Sequence, residues 1–328
     1  MKYEAYGYCE GGIARTEIPA KRYSDIKKAK STCLFAVELE EKFALLIDNL
    51  AEFEFELLRL AQSNLLWNNS DHSQSMLERL CLDRRLVNLL TACRLYLDQT
   101  DHGISILFGK NSSELKDVKT FKNDLYDKHW GYRLMEALRN HAQHSGLPIH
   151  VIGYPMYLSQ GKGPDYKEFT ISPKTEVSRL IENSRLKKPI VNELESKGDT
   201  IDLRGPTREY LSCFVQLHDK LREMIQSRVE NAQELYKRAV DEFGLINGQK
   251  VKFASLRELH DDQKTQGEVA LVTHFFDYYD VLRKRNVVNK YLKLSMASNT
   301  DQKKVYNRYC SMPQKILSDE LPGITRTP

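Results

Sequence analysis

The sequence predicts a mainly α-helical protein: an antiparallel bundle of long helices with a small β-hairpin insertion and additional helices near the C-terminus. Several long segments repeat apolar residues at alternating steps of three and four, the spacing that lines one face of an α-helix. Short polar turns join these segments, and short turns favour antiparallel neighbours in a bundle. A Gly/Pro-rich break in mid-chain, flanked by segments without helical periodicity, predicts the hairpin.

The first long helix is predicted between residues 34 and 67, where the helical spacing is clearest. Seven apolar residues share one stripe of this helix: Leu39, Phe43, Leu46, Leu50, Phe53, Leu57 and Leu60. The polar run Asn68-Asn69-Ser70-Asp71 interrupts the pattern, and a second helix resumes it across residues 82–96. Each of these stripes needs an apolar partner surface, which predicts that the two helices pack together.

Further helices are predicted on both sides of the hairpin. A third helix covers residues 118–144, and Gly146 and Pro148 follow it as residues typical of a helix end. A fourth is predicted across residues 211–239 and another within residues 269–294. The hairpin itself comprises residues 149–158 and 166–172, which leaves the helices as the frame of the molecule.

These elements predict a domain organisation with one principal unit. Residues 1–32 lack periodicity and are expected to form an N-terminal arm with at most one short strand. Residues 33–245 form the bundle, including the hairpin near residues 148–172, and residues 246–295 form a C-terminal helical extension. Residues 296–328 show no pattern and are expected to be a mobile tail.

Composition favours a cytoplasmic protein without a membrane partner. No window approaches the ~18 uninterrupted apolar residues of a membrane span, and the first residues lack a signal-peptide core. The six cysteines form no C-x-x-C pair, which favours reduced thiols over a disulfide frame or zinc knot. The net charge of +4 leaves the partner open, because phosphate binding depends on local clusters of Lys and Arg.

The clearest chemical signature lies at the end of the third helix, where Arg139, Asn140 and His144 follow one another closely. Asn140 and His144 are four residues apart and share a helix face, whereas Arg139 lies about 140° around the axis from His144. A guanidinium can hold a phosphate, and an imidazole can transfer a proton at neutral pH. Together they suit RNA cleavage without a metal. The competing interpretation is that Arg139 pairs with Glu136 while His144 stabilises the negative helix end.

Residues 132–149, reading YRLMEALRNHAQHSGLPI, resemble the signature helix of the HEPN superfamily. That motif is Arg, then a polar residue that is often Asn, then His four to six residues after the Arg, and it matches Arg139, Asn140 and His144. Residues 201–204 and 208–210 also resemble a segment that follows this helix in some bacterial HEPN-like proteins. The resemblance predicts an HEPN-like bundle across roughly residues 34–239.

The HEPN resemblance also implies a function. It implies a metal-independent endoribonuclease that acts as a homodimer, with the ribose 2′-hydroxyl attacking the adjacent phosphate and leaving a cyclic phosphate. His144 would be the general acid or base, Arg139 the phosphate clamp, and Asn140 the residue that orients them. Many family members are toxins or act in phage defence, so an antitoxin or defence-system partner is the corresponding expectation. Other members are inactive, which keeps open a non-catalytic dimeric scaffold.

A metal site is the weaker interpretation of the histidines. His141 and His144 are three residues apart, but His129 lies about 18 Å from His141 along an ideal helix. No neighbouring ligand completes a familiar set, so neither a metal nor a cofactor is expected.

Two basic clusters are candidates for RNA phosphates: Arg185, Lys187 and Lys188, and Arg283, Lys284 and Arg285. Solvated helix faces account for such clusters as well. The neighbouring pairs Phe275-Phe276 and Tyr278-Tyr279 could stack RNA bases, although a helical core stripe is the commoner meaning of such a pattern.

Overall fold

The computed structural model describes residues 1–67, 71–159, 166–182, 186, 188–260 and 265–286. The chain divides into two units, residues 1–292 and 293–328. Every element below belongs to the first unit. The predicted mobile tail, residues 296–328, lies outside the described residues.

Eight helices occur in the described part of the chain, which confirms the mainly α-helical prediction. Their bounds are α1 Ala20–Trp67, α2 His72–Phe108, α3 Ser113–Lys128, α4 Trp130–His144, α5 Val177–Ile181, α6 Lys188–Glu195, α7 Arg204–Phe243 and α8 His274–Arg285. Helix α1 packs against α2, α7 and α8, while α4 packs against α7. The seven apolar residues of the predicted α1 stripe are all buried in these contacts.

The strands are short and antiparallel where they pair. Their bounds are β1 Lys2–Cys9, β2 Gly12–Glu17, β3 Val151–Gly153, β4 Met156–Ser159, β5 Tyr166–Phe169, β6 Ser172–Glu176, β7 Thr200–Asp202, β8 Leu245–Ile246, β9 Gln249–Lys250, β10 Ala254–Leu259 and β11 Thr265–Leu271. They form a four-stranded sheet in the order β11-β10-β1-β2, a three-stranded sheet β3-β6-β7, and the two pairs β4-β5 and β8-β9. The β4-β5 pair is the predicted hairpin.

The N-terminal region differs from the predicted arm. Residues 2–17 form β1 and β2, and α1 begins at Ala20, well before the predicted residue 34. Strand β1 lies between β2 and β10, and Ala5 in its centre is opposite Leu256 and fully buried. The partner strand lies about 250 residues away, so the local sequence gives little sign that β1 is an inner strand.

The C-terminal extension also differs from the prediction, because residues 245–271 form strands rather than helices. Only α8 is helical there, and it covers 12 residues of the predicted 269–294 segment. Ala254 and Leu256 are buried and Ser255 between them is less buried, which is the period of a half-buried strand. Phe275, Phe276 and Tyr279 are buried as well, so three of the four aromatic residues considered for base stacking are core residues.

The predicted third helix is divided in two by an extended residue, His129, with φ −113° and ψ 113°. Glu209 of α7 accepts hydrogen bonds at this break from the Gly131 backbone nitrogen, 2.8 Å away, and faces His129 Nδ1 at 3.1 Å. Arg133 donates to the backbone oxygens of Tyr126 and Asp127 at the end of α3. These bonds satisfy helix-end groups and start α4 in a new direction. Helix α4 carries the predicted motif, so α7 fixes its orientation.

Candidate functional site

Arg139 lies on the penultimate turn of α4, and its guanidinium extends toward the helix end. Its Nη1 donates to Gln143 Oε1 at 3.2 Å. Its Nε has no hydrogen-bond partner among the described residues, since Glu136 Oε2 lies 3.6 Å away, beyond hydrogen-bonding distance. The other oxygen of Glu136 accepts a 2.5 Å hydrogen bond from the buried Tyr210 hydroxyl. Glu136 is therefore attached to the core and also forms an ion pair with Arg139, as the competing interpretation of the sequence predicts.

Asn140 and His144 occupy the face beside Arg139. Asn140 is half-buried, and His144, the last residue of α4, is exposed. Within the described residues, neither side chain forms a hydrogen bond to Arg139. The three motif residues thus share the last two turns of one helix without a preformed network, and His144 is open to solvent.

The predicted RNA-binding residues lie on other elements. Arg185 and Lys187 lie outside the described residues, and the exposed Lys188 begins α6. Arg283, Lys284 and Arg285 form the exposed last turn of α8. The Arg283 guanidinium lies over the Tyr279 ring, 5.8 Å from its centre, while Arg285 pairs with Asp48 of α1. None of the described contacts of these α8 side chains involves α4.

The three histidines considered as metal ligands do not share a site. His129 faces Glu209 at the start of α4, whereas His144 is exposed at its other end. His141 packs edge-on against His150, with ring centres 5.5 Å apart. Across the described ranges, no three His, Cys, Asp or Glu residues are grouped as a metal ion would need.

A polar cavity of about 430 Å³, which no sequence motif indicates, lies beside the end of α4. Its lining residues come from α2, α4, α5, the position after α5, and the segment between α4 and β3: Arg79, His141, Ser145, Gly146, Leu147, His150, Arg179 and Glu182. Residues 141–150 are near one another in sequence, as are Arg179 and Glu182, but these two groups and Arg79 are far apart. The arginines approach through tertiary packing, so no sequence motif could have revealed the cluster.

His150 is fixed in one tautomer by its neighbours. Its Nδ1 accepts a 2.9 Å hydrogen bond from the Glu176 backbone nitrogen, and the Thr175 hydroxyl lies 3.2 Å away. An N–H can only donate, so the proton of the neutral ring is on Nε2. Burial, with Arg179 acting in the same direction, lowers the pKa of His150 to about 4. His150 is therefore neutral at pH 7.

His141 is the more deeply buried of the pair, with 5% of its surface exposed. Its Nδ1 lacks a hydrogen-bond partner within the described part of the chain. Its Nε2 faces Gly146, where an added Cβ would lie 3.6 Å away. Burial lowers the pKa of His141, and the Glu182 carboxylate partly opposes that effect. A ring that lines the cavity therefore has a buried nitrogen with unused hydrogen-bonding capacity.

The two arginines of the cavity are held by their own elements. Arg79 Nη1 donates to the Ile149 backbone oxygen at 2.9 Å, and the Ile149 nitrogen donates to Asp83 Oδ1 at 2.8 Å. Burial raises the pKa of Asp83 to about 6, although the Ile149 N–H and Arg79 pull it down. Arg179 Nε pairs with Glu176 Oε2 at 2.6 Å, and more than half of the Arg179 side chain is exposed. Both guanidinium groups retain N–H donors beyond these bonds.

An exposed apolar face of α2 adjoins this region. Met76, Leu77 and Leu80 are each more than half exposed near the start of the helix. A groove of about 440 Å³ follows them, with Leu147 on the α4 side and the α2 residues Leu80, Cys81, Arg84, Val87 and Asn88 on the other. Leu147 borders both the groove and the polar cavity, so the apolar face reaches the end of α4.

A second polar cluster lies inside the bundle. His218 faces Glu40 Oε2 through Nε2 at 3.3 Å and the Tyr96 hydroxyl through Nδ1 at 3.0 Å. Arg222 donates to both Glu40 oxygens, and Asn286 donates to Oε2 at 2.9 Å. A Tyr-His-Glu chain is a possible proton relay, but Tyr96, His218 and Glu40 are at most 1% exposed. No substrate reaches them in this conformation, so the cluster is structural.

In comparisons with known proteins, no family model matches the chain, and neither the curated proteins nor the solved structures include a significant match. The described helices also include none that is long and apolar enough to cross a membrane.

Proposed function

We propose that this chain is a metal-independent endoribonuclease whose reacting groups are Arg139, Asn140 and His144 at the end of α4. The main support is the position of the motif: the exposed His144 ends the helix, and the Arg139 guanidinium extends toward that end through Gln143. Arg139 forms an ion pair with Glu136, whose Oε2 lies 3.6 Å from Nε, and the guanidinium N–H groups outside this pair and the Gln143 bond remain free to donate. Both groups are therefore available to a phosphodiester that approaches from solvent.

The reaction follows from the chemistry of these two side chains. One imidazole takes the proton of the ribose 2′-hydroxyl, the 2′-oxygen forms a bond to phosphorus, and the bond to the 5′-oxygen breaks. A second imidazole gives a proton to the departing 5′-oxygen. Arg139 donates to the phosphate oxygens and stabilises their additional negative charge in the transition state. The products are a 2′,3′-cyclic phosphate and a 5′-hydroxyl, and no metal enters any step.

Two imidazoles are needed, and a homodimer would supply one His144 from each copy. The exposed apolar face of α2 supports this part of the proposal, because Leu77 and Leu80 lie on the same side as Leu147, three residues beyond His144. Contiguous exposed apolar surface commonly marks an interaction site. A two-fold contact through this face would bring two α4 ends near each other.

The second candidate is a non-catalytic dimeric scaffold. The same apolar face favours it, as does the Arg139–Gln143 hydrogen bond, which gives the guanidinium a role without a substrate. The two candidates differ in their use of His144, since a scaffold does not need an exposed imidazole at this position.

The proposed setting is the cytoplasm, where the five free cysteines of the described residues would remain reduced. A role as a toxin or in phage defence, with a cognate protein partner, is the corresponding proposal for the cell.

Product chemistry tests the proposal most directly. The full-length chain is incubated with a mixed-sequence RNA in excess chelator, and the new 3′ ends are identified by mass spectrometry. We expect cleavage to continue and to leave 2′,3′-cyclic phosphates, and we expect 2′-deoxyribose at a cut site to protect it. Loss of all cleavage in chelator, or cleavage of the deoxy substrate, would exclude this mechanism. Equal cleavage by the Arg139→Ala/His144→Ala double variant would assign any activity to a contaminant and favour the scaffold.

A further inference from the structure

The polar cavity beside α4 is distinct from the exposed motif face, and it concentrates nitrogen donors. Arg79 from α2 and Arg179 from α5 contribute guanidinium groups, while His150 contributes Nε2–H. Its volume of about 430 Å³ lies within the usual range for small-molecule sites. A site of this size holds more than a bare ion.

His141 provides an independent sign that a ligand belongs here. Only 5% of the residue is exposed, yet Nδ1 has no partner among the described residues. A buried polar atom without a partner destabilises the fold, and a bound group that satisfies it would remove that cost. Because His141 is also a lining residue of the cavity, a ligand there can reach this ring.

We propose that this cavity binds the phosphate group of a phosphate monoester, held by Arg79, Arg179, His150 and His141. Guanidinium groups match phosphate oxygens with paired N–H donors, and the two imidazoles add one N–H each. Leu147 gives the organic part of the ester an apolar wall. The monoester is either a free nucleotide or the terminal phosphate of an RNA, since both present the same group.

The surrounding charges make proton uptake part of binding. Asp83 lies 3.6 Å from Arg79, Glu176 pairs with Arg179, and Glu182 faces His141, so carboxylates offset the arginines when the imidazoles are neutral. A bound dianion stabilises protonated imidazole, and a protonated His141 has an N–H on both ring nitrogens to donate. Burial raises the pKa of Asp83 to about 6, and protonation of Asp83 removes a negative charge beside Arg79, which also favours anion binding. Anion affinity should therefore increase as pH falls.

Sulfate, phosphate and AMP are suitable probes, and sulfate keeps its charge across the tested pH range. Binding is measured by calorimetry at about pH 6 and about pH 8, spanning the usual histidine pKa, while ¹H–¹⁵N spectra follow the imidazole nitrogens. We expect saturable binding of all three probes, a shift of the ring-nitrogen signals of His141, and tighter sulfate binding at the lower pH. Arg179→Gln should weaken binding about tenfold, the loss of one charge-assisted contact. The matched control is Arg94→Gln, which removes an exposed α2 arginine paired with Asp98 and should change nothing.

Oligoribonucleotides with a 5′-phosphate or a 5′-hydroxyl distinguish the two sources of the phosphate group, a free nucleotide and an RNA end. Preference for the phosphorylated oligonucleotide over AMP assigns the site to RNA ends, and the reverse assigns it to free nucleotides. Failure of all three probes to bind at about 10 mM, a concentration that reveals even millimolar affinity, would overturn the proposal. Equal affinity of the wild type and Arg179→Gln would overturn it as well. None of these binding measurements involves RNA cleavage, so the test of the phosphate site does not depend on the proposed nuclease activity.

Discussion

The backbone nitrogen of Gly131 donates a 2.8 Å hydrogen bond to Glu209 Oε2, and this contact attaches the start of α4 to α7. A glycine is required at position 131 because a larger residue would collide with α7. A Cβ at position 131 would lie 2.7 Å from both Glu209 Oε2 and the Pro206 backbone oxygen. The helix that carries the candidate motif is thus positioned by a close backbone approach at its other end.

Gly131→Ala should displace α4 from α7. We expect a loss of about 1–3 kcal/mol in the free energy of unfolding, the usual cost of overpacking. The control is Gly205→Ala on α7, where an added Cβ meets nothing within 4 Å. Urea unfolding measures both variants. Equal stability of the two would show that the contact at Gly131 is easily relaxed.

Replacing the motif residues should reduce RNA cleavage with little change in folding. His144→Ala should lower the rate about 10²- to 10⁴-fold, the usual effect of a lost acid or base, and Arg139→Ala should cost about as much through lost charge stabilisation. Matched controls are His102→Ala, an exposed histidine on α2, and Arg238→Ala, an exposed arginine of α7. Circular dichroism of each variant checks the helices. A loss of helix that parallels the loss of rate would make the motif structural.

The exposed face of α2 should decide the oligomeric state. Leu80→Glu introduces a charge on this face and should convert the proposed dimer to a monomer at micromolar concentration, because a buried charge without a partner is costly. Val281→Glu is the control, since Val281 is a similarly exposed apolar residue on α8. Multi-angle light scattering gives the mass. A monomeric wild type would contradict the proposed dimer. A dimeric Leu80→Glu variant would show that the interface lies elsewhere on the protein.

The buried Glu40 cluster predicts sensitivity to acid. Burial raises the pKa of Glu40, but hydrogen bonds from His218 and Arg222 outweigh this effect and lower it to about 2, below its ordinary 4.5. The ionised carboxylate therefore stabilises the fold above pH 4.5, and this contribution of about 3 kcal/mol is lost as pH falls toward 2. Burial lowers the pKa of His218 below its ordinary 6.5, so the fold also loses stability as the pH falls below 6.5.

Thermal unfolding between neutral and acidic pH checks this prediction. Glu40→Gln should be less stable than the wild type at neutral pH, and its stability should depend less on pH below 4.5. Glu223→Gln, which changes an exposed glutamate of α7, should follow the wild-type curve. Parallel curves for all three proteins would mean that Glu40 does not contribute to the acid response.

Sequence periodicity predicted the parts of the fold that depend on local spacing. The stripe from Leu39 to Leu60 is buried as predicted, and α4 ends at His144 before Gly146. The break at His129 was missed because its cause, Glu209, lies 80 positions further along the chain. Strands β1 and β10 were missed for the same reason. The cavity could not be predicted either, since Arg79, His150 and Arg179 meet only after α2, α4 and α5 have packed.

The inner position of β1 also matters for synthesis on the ribosome. Tyr3 bonds to Glu258, 255 positions later, so the first strand emerges long before its partner. At typical translation rates this interval is roughly 10 to 50 seconds, far longer than a helix needs to form. During that time the unpaired edge of residues 2–9 would be accessible to chaperones and to other nascent chains. Nascent chains arrested before residue 254 should therefore be cut within these residues by added protease, whereas released full-length protein should resist.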